Sequence, residues 1–375
     1  MFDAASVLVS DASSRGRCKL QRSLNGFFCN ETLGANLMGE PIKYLNESTY
    51  RPQWLREGEI ESTLNAVEGL RSEIQAVGKE VAQAKRIYIV GSGASNSVQF
   101  PIRYVAEKYT EIPVLQYSGW EYLERVPATR KGDLCIFITH SGKTNEILRG
   151  AEWAKSKDAT IIGIAQRSDA EINRISDFSF SYVGRSITIA KLAVLYHLFG
   201  TVLRERGYEV GGKMGQIADS LSSTIPPMIP KAKENGRALG LRHKDDDEMY
   251  VVGGGINWGL TYEFATCFLQ ELCWVHATPV NYSEFMHGPI ELFTPGRAAL
   301  FLKGRGNEIE LENFILNWCI NNGVKTIVLD SQGLDVDNLM TPFTLIPDFH
   351  WFTYFLSLAR NRDMESWRYY DKVRG

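Results

Sequence analysis

The hexapeptide T-H-S-G-K-T, Thr139 to Thr144, gathers hydroxyls, a histidine, a lysine and a glycine at the end of an apolar run. Thr139, Ser141 and Thr144, with the Gly142 backbone and the start of a following helix, could surround a phosphate, because hydroxyls, amide N–H groups and the helix dipole all favour an anion. The same hydroxyls could simply cap that helix. A second loop, G-S-G-A-S-N from Gly91 to Asn96, could bring Ser92 and Ser95 against a polyhydroxyl ligand, with Gly93 allowing close backbone approach. It could equally be a tight strand-to-helix turn. It is not a dinucleotide fingerprint, since the third glycine is missing at the required spacing and no clear acid closes the next strand, so NAD is disfavoured.

Two further residues have acid–base potential. The segment Leu260 to His276 has the length and composition of a helix, on which the neighbours of Glu271 one turn away are Cys267, Phe268, Trp274 and Val275. A carboxylate among apolar side chains is costly unless paired or employed, and desolvation raises its pKa toward the range useful for proton transfer. A buried Glu satisfied by an amide or an Arg is the alternative. In S-E-F-M-H-G-P-I-E, Ser283 to Glu291, His287 precedes Gly288 and Pro289 and should occupy a sharp turn. Alone it is an ordinary loop histidine; beside Glu271 it becomes a candidate proton donor or acceptor.

The elements that must position these groups recur along the chain. Arg86 to Val90 ends in the Gly91 loop, and Met249 to Val252 ends in G-G-G-I-N-W, Gly253 to Trp258. Leu134 to Ile138 opens onto T-H-S-G-K-T, and Ala299 to Leu302 opens onto K-G-R-G, Lys303 to Gly306. The spacing from Gly91 to Gly142 is repeated from Gly253 to Gly304, so one domain is present twice. Because the second copy keeps Gly304 but replaces the hydroxyls, the turn does not require them, and phosphate binding gains weight over capping. Each copy alternates short β-branched runs with helical patterns, which predicts two tandem doubly wound α/β domains, each a parallel sheet flanked by helices. The expected divisions are an N-terminal extension over 1–50, a first domain over 51–230 carrying the phosphate loop, and a second over 231–375 carrying Glu271 and His287. A linker is expected in the polar stretch Lys231 to Glu248, ending in a solvated loop, Lys244 to Glu248.

Composition narrows the function. A chain of 375 residues exceeds the ~100–200 of one ordinary core, in keeping with two domains. Lys and Arg number 41 against 44 Asp and Glu, a net charge of -3 with no basic field for a nucleic-acid backbone. Six cysteines, Cys18, Cys29, Cys135, Cys267, Cys273 and Cys319, lack C-x-x-C spacing and are expected to be reduced, with neither zinc nor disulfides. No secretory leader is evident, and no run reaches the ~18 apolar residues of a membrane span, so a cytoplasmic protein with no membrane partner is expected.

With these residues assembled, the chain resembles the double sugar isomerase (SIS) family, whose fold is shared with the isomerase half of glucosamine-6-phosphate synthase, over about residues 50 to 375. Within that family S-G-W-E (Ser118 to Glu121), S-G-K-T, E-F-M-H-G-P and R-Y-Y (Arg368 to Tyr370) look closest to the fructoselysine-6-phosphate deglycase group. The resemblance implies phosphate contacts at Thr139, Ser141 and Thr144, sugar contacts near Ser95, a proton-transferring carboxylate at Glu271 and a ring-opening histidine at His287. It implies a homodimer or larger assembly, no metal or other cofactor, and cleavage of a 6-phosphorylated fructosamine into glucose 6-phosphate and an amine. An aldose–ketose isomerase or glucosamine-6-phosphate deaminase would use the same acid–base pair, and SIS domains also occur in sugar-phosphate-sensing regulators. One departure disfavours glutamine-dependent synthesis: the synthase pattern has a lysine three residues before the glutamate, where this chain has Phe268, and the chain begins Met1-Phe2-Asp3 without a glutaminase cysteine.

Overall fold

Short aliphatic and β-branched runs closed by glycine or hydroxyl residues become the strands of two parallel sheets in the computed structural model, which describes residues 45–125 and 128–369. The first sheet has β1 (Ile87–Gly91), β2 (Val114–Tyr117), β3 (Leu134–Ile138), β4 (Thr160–Ala165) and β5 (Phe178–Ser181) in the order β2-β1-β3-β4-β5. The second has β6 (Glu248–Gly253), β7 (His276–Asn281), β8 (Ala298–Leu302) and β9 (Lys325–Leu329) in the order β7-β6-β8-β9. The second order is the first without its outer strand, the spatial counterpart of the repeat. Parallel neighbours need crossovers, and helices supply them on both faces, so the expected pair of doubly wound α/β layers is what the chain forms. Most of the extension expected over 1–50, with Cys18 and Cys29, lies outside the described residues, as do Tyr370 and Lys372. Cys135, Cys267, Cys273 and Cys319 are free thiols.

Two expectations need correction. Among the described residues one helix, Ile187–Glu205, is long and apolar enough by length and composition to cross a membrane. Its most apolar window is 89% buried inside the fold, so it is a core helix, apolar all round because protein surrounds it. The stretch from Lys231, read as a linker, belongs to the helix Ile229–Arg242 as far as Arg242. That helix buries Ala232, Gly236 and Gly240 and packs against Ile346–Ala359. Only the residues after it, up to β6, form a loop.

Asp348 in the helix Ile346–Ala359 is 5% exposed and accepts from Gln332 Nε2 at 3.2 Å. Burial raises its carboxyl from 3.8 to about 6 against the opposing hydrogen bonds. The folded chain therefore holds a proton between about pH 4 and 6 that the unfolded chain releases, and stability falls as pH rises through that window. Asp348→Asn should remove this decline and raise stability at pH 7.5 by about 1–3 kcal/mol, read from denaturant midpoints across pH. A variant that keeps the wild-type slope between pH 4 and 6 would contradict the assignment.

Candidate active site

Because β1 and β3 pair with Gly91 opposite Ile138, the loops that follow them leave the sheet side by side at its C-terminal edge. On the other side of β1, Val90 pairs with Tyr117, which brings S-G-W-E to the same edge. Ser92 joins the three segments: its Oγ accepts from Gly119 N at 3.4 Å and donates to Glu146 Oε1 at 3.2 Å. Open α/β sheets gather ligands at this edge.

In the hydroxyl loop, Thr139 is buried and its Oγ1 lies 2.7 Å from Thr144 Oγ1. Thr144 holds the N-cap position of the helix Asn145–Lys155, yet its side chain makes no cap bond, so capping does not account for that hydroxyl. Ser141 is exposed, and its Oγ accepts from Lys143 N at 3.4 Å. Gly142 has a φ of 72°, and a Cβ there would lie 2.2 Å from Ala170 Cβ, so no other residue can make this turn without displacing its neighbour. His140 Nδ1 sits 3.0 Å from the Tyr182 hydroxyl. Burial, reinforced by Lys191 and Arg185, lowers its ring to about 4, leaving it neutral at pH 7.

The second domain reaches this rim through Trp258–Glu263. Gly259 allows the approach, since a Cβ on it would stand 2.1 Å from Ser97 O. A Cβ on Gly93 would lie 3.8 Å from Cys267 Sγ, which places the Gly91–Asn96 loop against the segment leading to Glu271. That segment differs from the expected helix. It is α-helical to Glu263 and π-helical from Phe264 to Gln270, and it turns before β7 begins at His276. Glu271 N bonds to Thr266 O at 3.2 Å and Cys273 N to Phe268 O at 2.9 Å, the i to i−5 spacing of a π turn. Trp274 and Val275 are therefore not helical neighbours of Glu271. Trp274 has a φ of 56° and stacks between the guanidinium carbons of Arg362 and Arg368, 3.6 and 3.5 Å from its ring. Glu271 is half-buried rather than enclosed by apolar side chains. Burial raises the Cys267 thiol to about 12, and the charges of Glu263 and Glu271 add to the effect.

The fully enclosed carboxylate on this segment is Glu263. It accepts from Ser97 Oγ at 2.5 Å and from Thr188 Oγ1, and Lys191 is its counter-charge. Lys191, 1% exposed, donates from Nζ to Ser95 Oγ at 2.8 Å, and Ser95 itself is buried. His287 lies elsewhere in the second domain. Its N donates to Glu284 O at 2.9 Å in an exposed turn, where Gly288 has a φ of 128°. Glu271 and His287 flank β7, one before its first residue and the other beyond its last. Met286 and Leu292, on either side of His287, are exposed.

The second copy of the loop is filled from within. Glu312 accepts from Gly304 N at 3.0 Å and lies 3.7 Å from Lys303 Nζ, with both side chains buried. Burial raises the Glu312 carboxyl, opposed by the Gly304 amide and Lys303. One further cluster, Glu68, His197 and Asp219, offers atoms suited to a metal, but Arg71 bonds both carboxylates, at 3.1 Å to Glu68 and 2.5 Å to Asp219. Sequence reading missed Lys191, Glu263 and Glu312. The signal for the first was a lone lysine in the apolar run I-T-I-A-K-L-A-V-L; Glu263 takes its partners from the other domain and Glu312 from a loop of its own domain, and neither carried a local signal.

Residues 80–203, which carry the first sheet, match the SIS domain family. The chain is 26% identical over 292 residues to fructoselysine 6-phosphate deglycase of Escherichia coli K12, covering 76% of this chain and 85% of that protein. It is 25% identical over 303 residues to fructosamine deglycase FrlB of Bacillus subtilis 168, covering 76% and 92% respectively. The C-terminal domain of glucosamine-fructose-6-phosphate aminotransferase from Francisella tularensis has the same fold, with a TM-score of 0.74 at 17% identity over 85% of this chain and 99% of that one. The resemblance read from the sequence motifs is thus met independently.

Proposed function

We propose that this protein is a sugar-phosphate enzyme of the SIS type and, more narrowly, a deglycase acting on a 6-phosphorylated fructosamine. The observation that supports the reading is the meeting of two loops and one segment: the Thr139–Thr144 loop and the Gly91–Asn96 loop leave the same sheet edge, and Cys267, four residues before Glu271, approaches Gly93 from the second domain. The similarity to two deglycases over three quarters of the chain supports the amine-bearing substrate.

In this reading Thr139, Ser141, Gly142 and Thr144 hold the phosphate, while Ser92, Gly93 and Ser95 line the sugar. Holding the far end positions the reacting carbons, which is where binding energy assists catalysis. His287 moves a proton at the ring oxygen and opens the ring. Glu271 takes a proton from C1 and returns one at C2, through an enolamine, so the ketosamine becomes an aldose imine. Water then adds to the imine carbon and the C–N bond breaks, giving glucose 6-phosphate and the free amine. His287 stands on an exposed turn flanked by exposed Met286 and Leu292, which suits a loop that completes the site of a second copy in a homodimer.

Incubation with fructosyl amino acids, phosphorylated and not, tests the reading by coupled detection of glucose 6-phosphate. Release of an amino acid from the phosphorylated compound alone is expected. Ammonia from glucosamine 6-phosphate would mean deamination, interconversion of free sugar phosphates would mean isomerisation, and tight binding without turnover would mean a sensor.

A further inference from the structure

Two buried charged groups that the proposed reaction leaves unused lie beneath the Gly91–Asn96 loop. Lys191, in the helix Ile187–Glu205 of the first domain, is enclosed by protein, and Glu263 of the second domain attracts it electrostatically. Glu263 is held by two hydroxyls, Ser97 and Thr188, and has no hydrogen bond to Ser95 Oγ. An ammonium carries only donors, so in the 2.8 Å contact between Lys191 Nζ and Ser95 Oγ the serine must accept. Its own proton has to point elsewhere, and no described residue accepts it. A buried donor without a partner is costly, by about 1–3 kcal/mol, unless a ligand supplies the acceptor.

We propose that Lys191 is a positioning residue that fixes the hydrogen-bond polarity of the sugar end of the site: it leaves Ser95 as a donor, and its charge excludes a second cation, so an oxygen of the ligand and not its amine is bound there. This rests on the sugar-phosphate reading above. It orients a ketosamine, with hydroxyl or carbonyl oxygens at Ser95 and the amine turned away. Lys191 is lowered to about 8 by burial against the attraction of Glu263, so it keeps its proton at pH 7.

Lys191→Met alone strands Glu263, so the paired variant Lys191→Met/Glu263→Gln carries the test, beside Ser95→Ala and the triple combination. Calorimetry on the full chain with inorganic phosphate and with glucose 6-phosphate should show phosphate affinity unchanged throughout. Glucose 6-phosphate should bind about tenfold more weakly to the paired variant and to Ser95→Ala, with no further loss in the triple combination, as expected when one hydrogen bond is lost by either route. With a phosphorylated fructosamine, KM should rise about tenfold while kcat stays within about threefold. Lys191→Gln, which keeps a donor but can also accept, is the milder second variant and should lose about threefold if the paired variant does not fold. Unchanged glucose 6-phosphate affinity, or losses that add in the triple combination, would overturn the proposal while leaving the enzyme reading intact. A wild-type chain that binds neither probe would remove the enzyme reading and this proposal together.

Discussion

Glu271→Gln should lower turnover of a phosphorylated fructosamine by about two to four orders of magnitude, the usual loss when a positioned general base is removed. The amide keeps the shape of the carboxylate but cannot take a proton from C1. Glu271 is half-buried, so the unfolding midpoint is measured on the same preparation to separate lost chemistry from lost folding. The affinity for glucose 6-phosphate should stay within about threefold, since the lost contact matters only as the proton is in flight. His287→Ala should act on a different step, slowing substrates that must open their rings more than those supplied open-chain. Near-normal turnover by purified Glu271→Gln would show that another group does the proton transfer, with Glu263 the nearest alternative on the same segment.

The second large effect is expected at the hydroxyl loop. Thr139 and Thr144 hydrogen-bond to each other, so changing either alone would leave the other unpaired and confuse stability with binding. Thr139→Val/Thr144→Val replaces both with side chains of the same shape, a change that can be close to neutral for folding. Two hydroxyl contacts to a charged phosphate, each worth about 1.5–3 kcal/mol, should vanish, so inorganic phosphate affinity should fall by at least ~100-fold. A helix-capping role predicts the opposite pattern: a loss of ~1 kcal/mol per cap in the unfolding midpoint, with phosphate affinity preserved. Phosphate titration and denaturant unfolding of the same preparation separate the two.

What could be read from the residues follows from what each signal depends on. β1, β3, β6 and β8 were legible because each is a local run ended by a glycine loop, and the pairing of Gly91 with Ile138 then sets two loops side by side. The helix Ile229–Arg242 was taken for a linker because its buried stripe is Ala232, Gly236 and Gly240, too small to register as apolar periodicity although the spacing is helical. The helix expected over Leu260–His276 failed at its far end because a π turn needs one more residue than an α turn, which no propensity announces. The enclosed carboxylate is Glu263, at the end of the α-helical part before that turn. Glu263 was invisible in the sequence, since it is tolerable in its buried place only because the first domain brings Ser97 and Thr188 to it. The Glu271–His287 pairing was read from proximity in sequence, and a strand of six residues stands between them.

Doubling a domain ordinarily doubles its vacancies, and here it has not. In the repeat of the phosphate loop a carboxylate grown from the protein's own helix offers the Gly304 amide the oxygen a guest would have brought, with Lys303 as its permanent counter-ion. The symmetry of the architecture therefore does not extend to this turn, whose amide and ammonium are already matched by a carboxylate of the same chain.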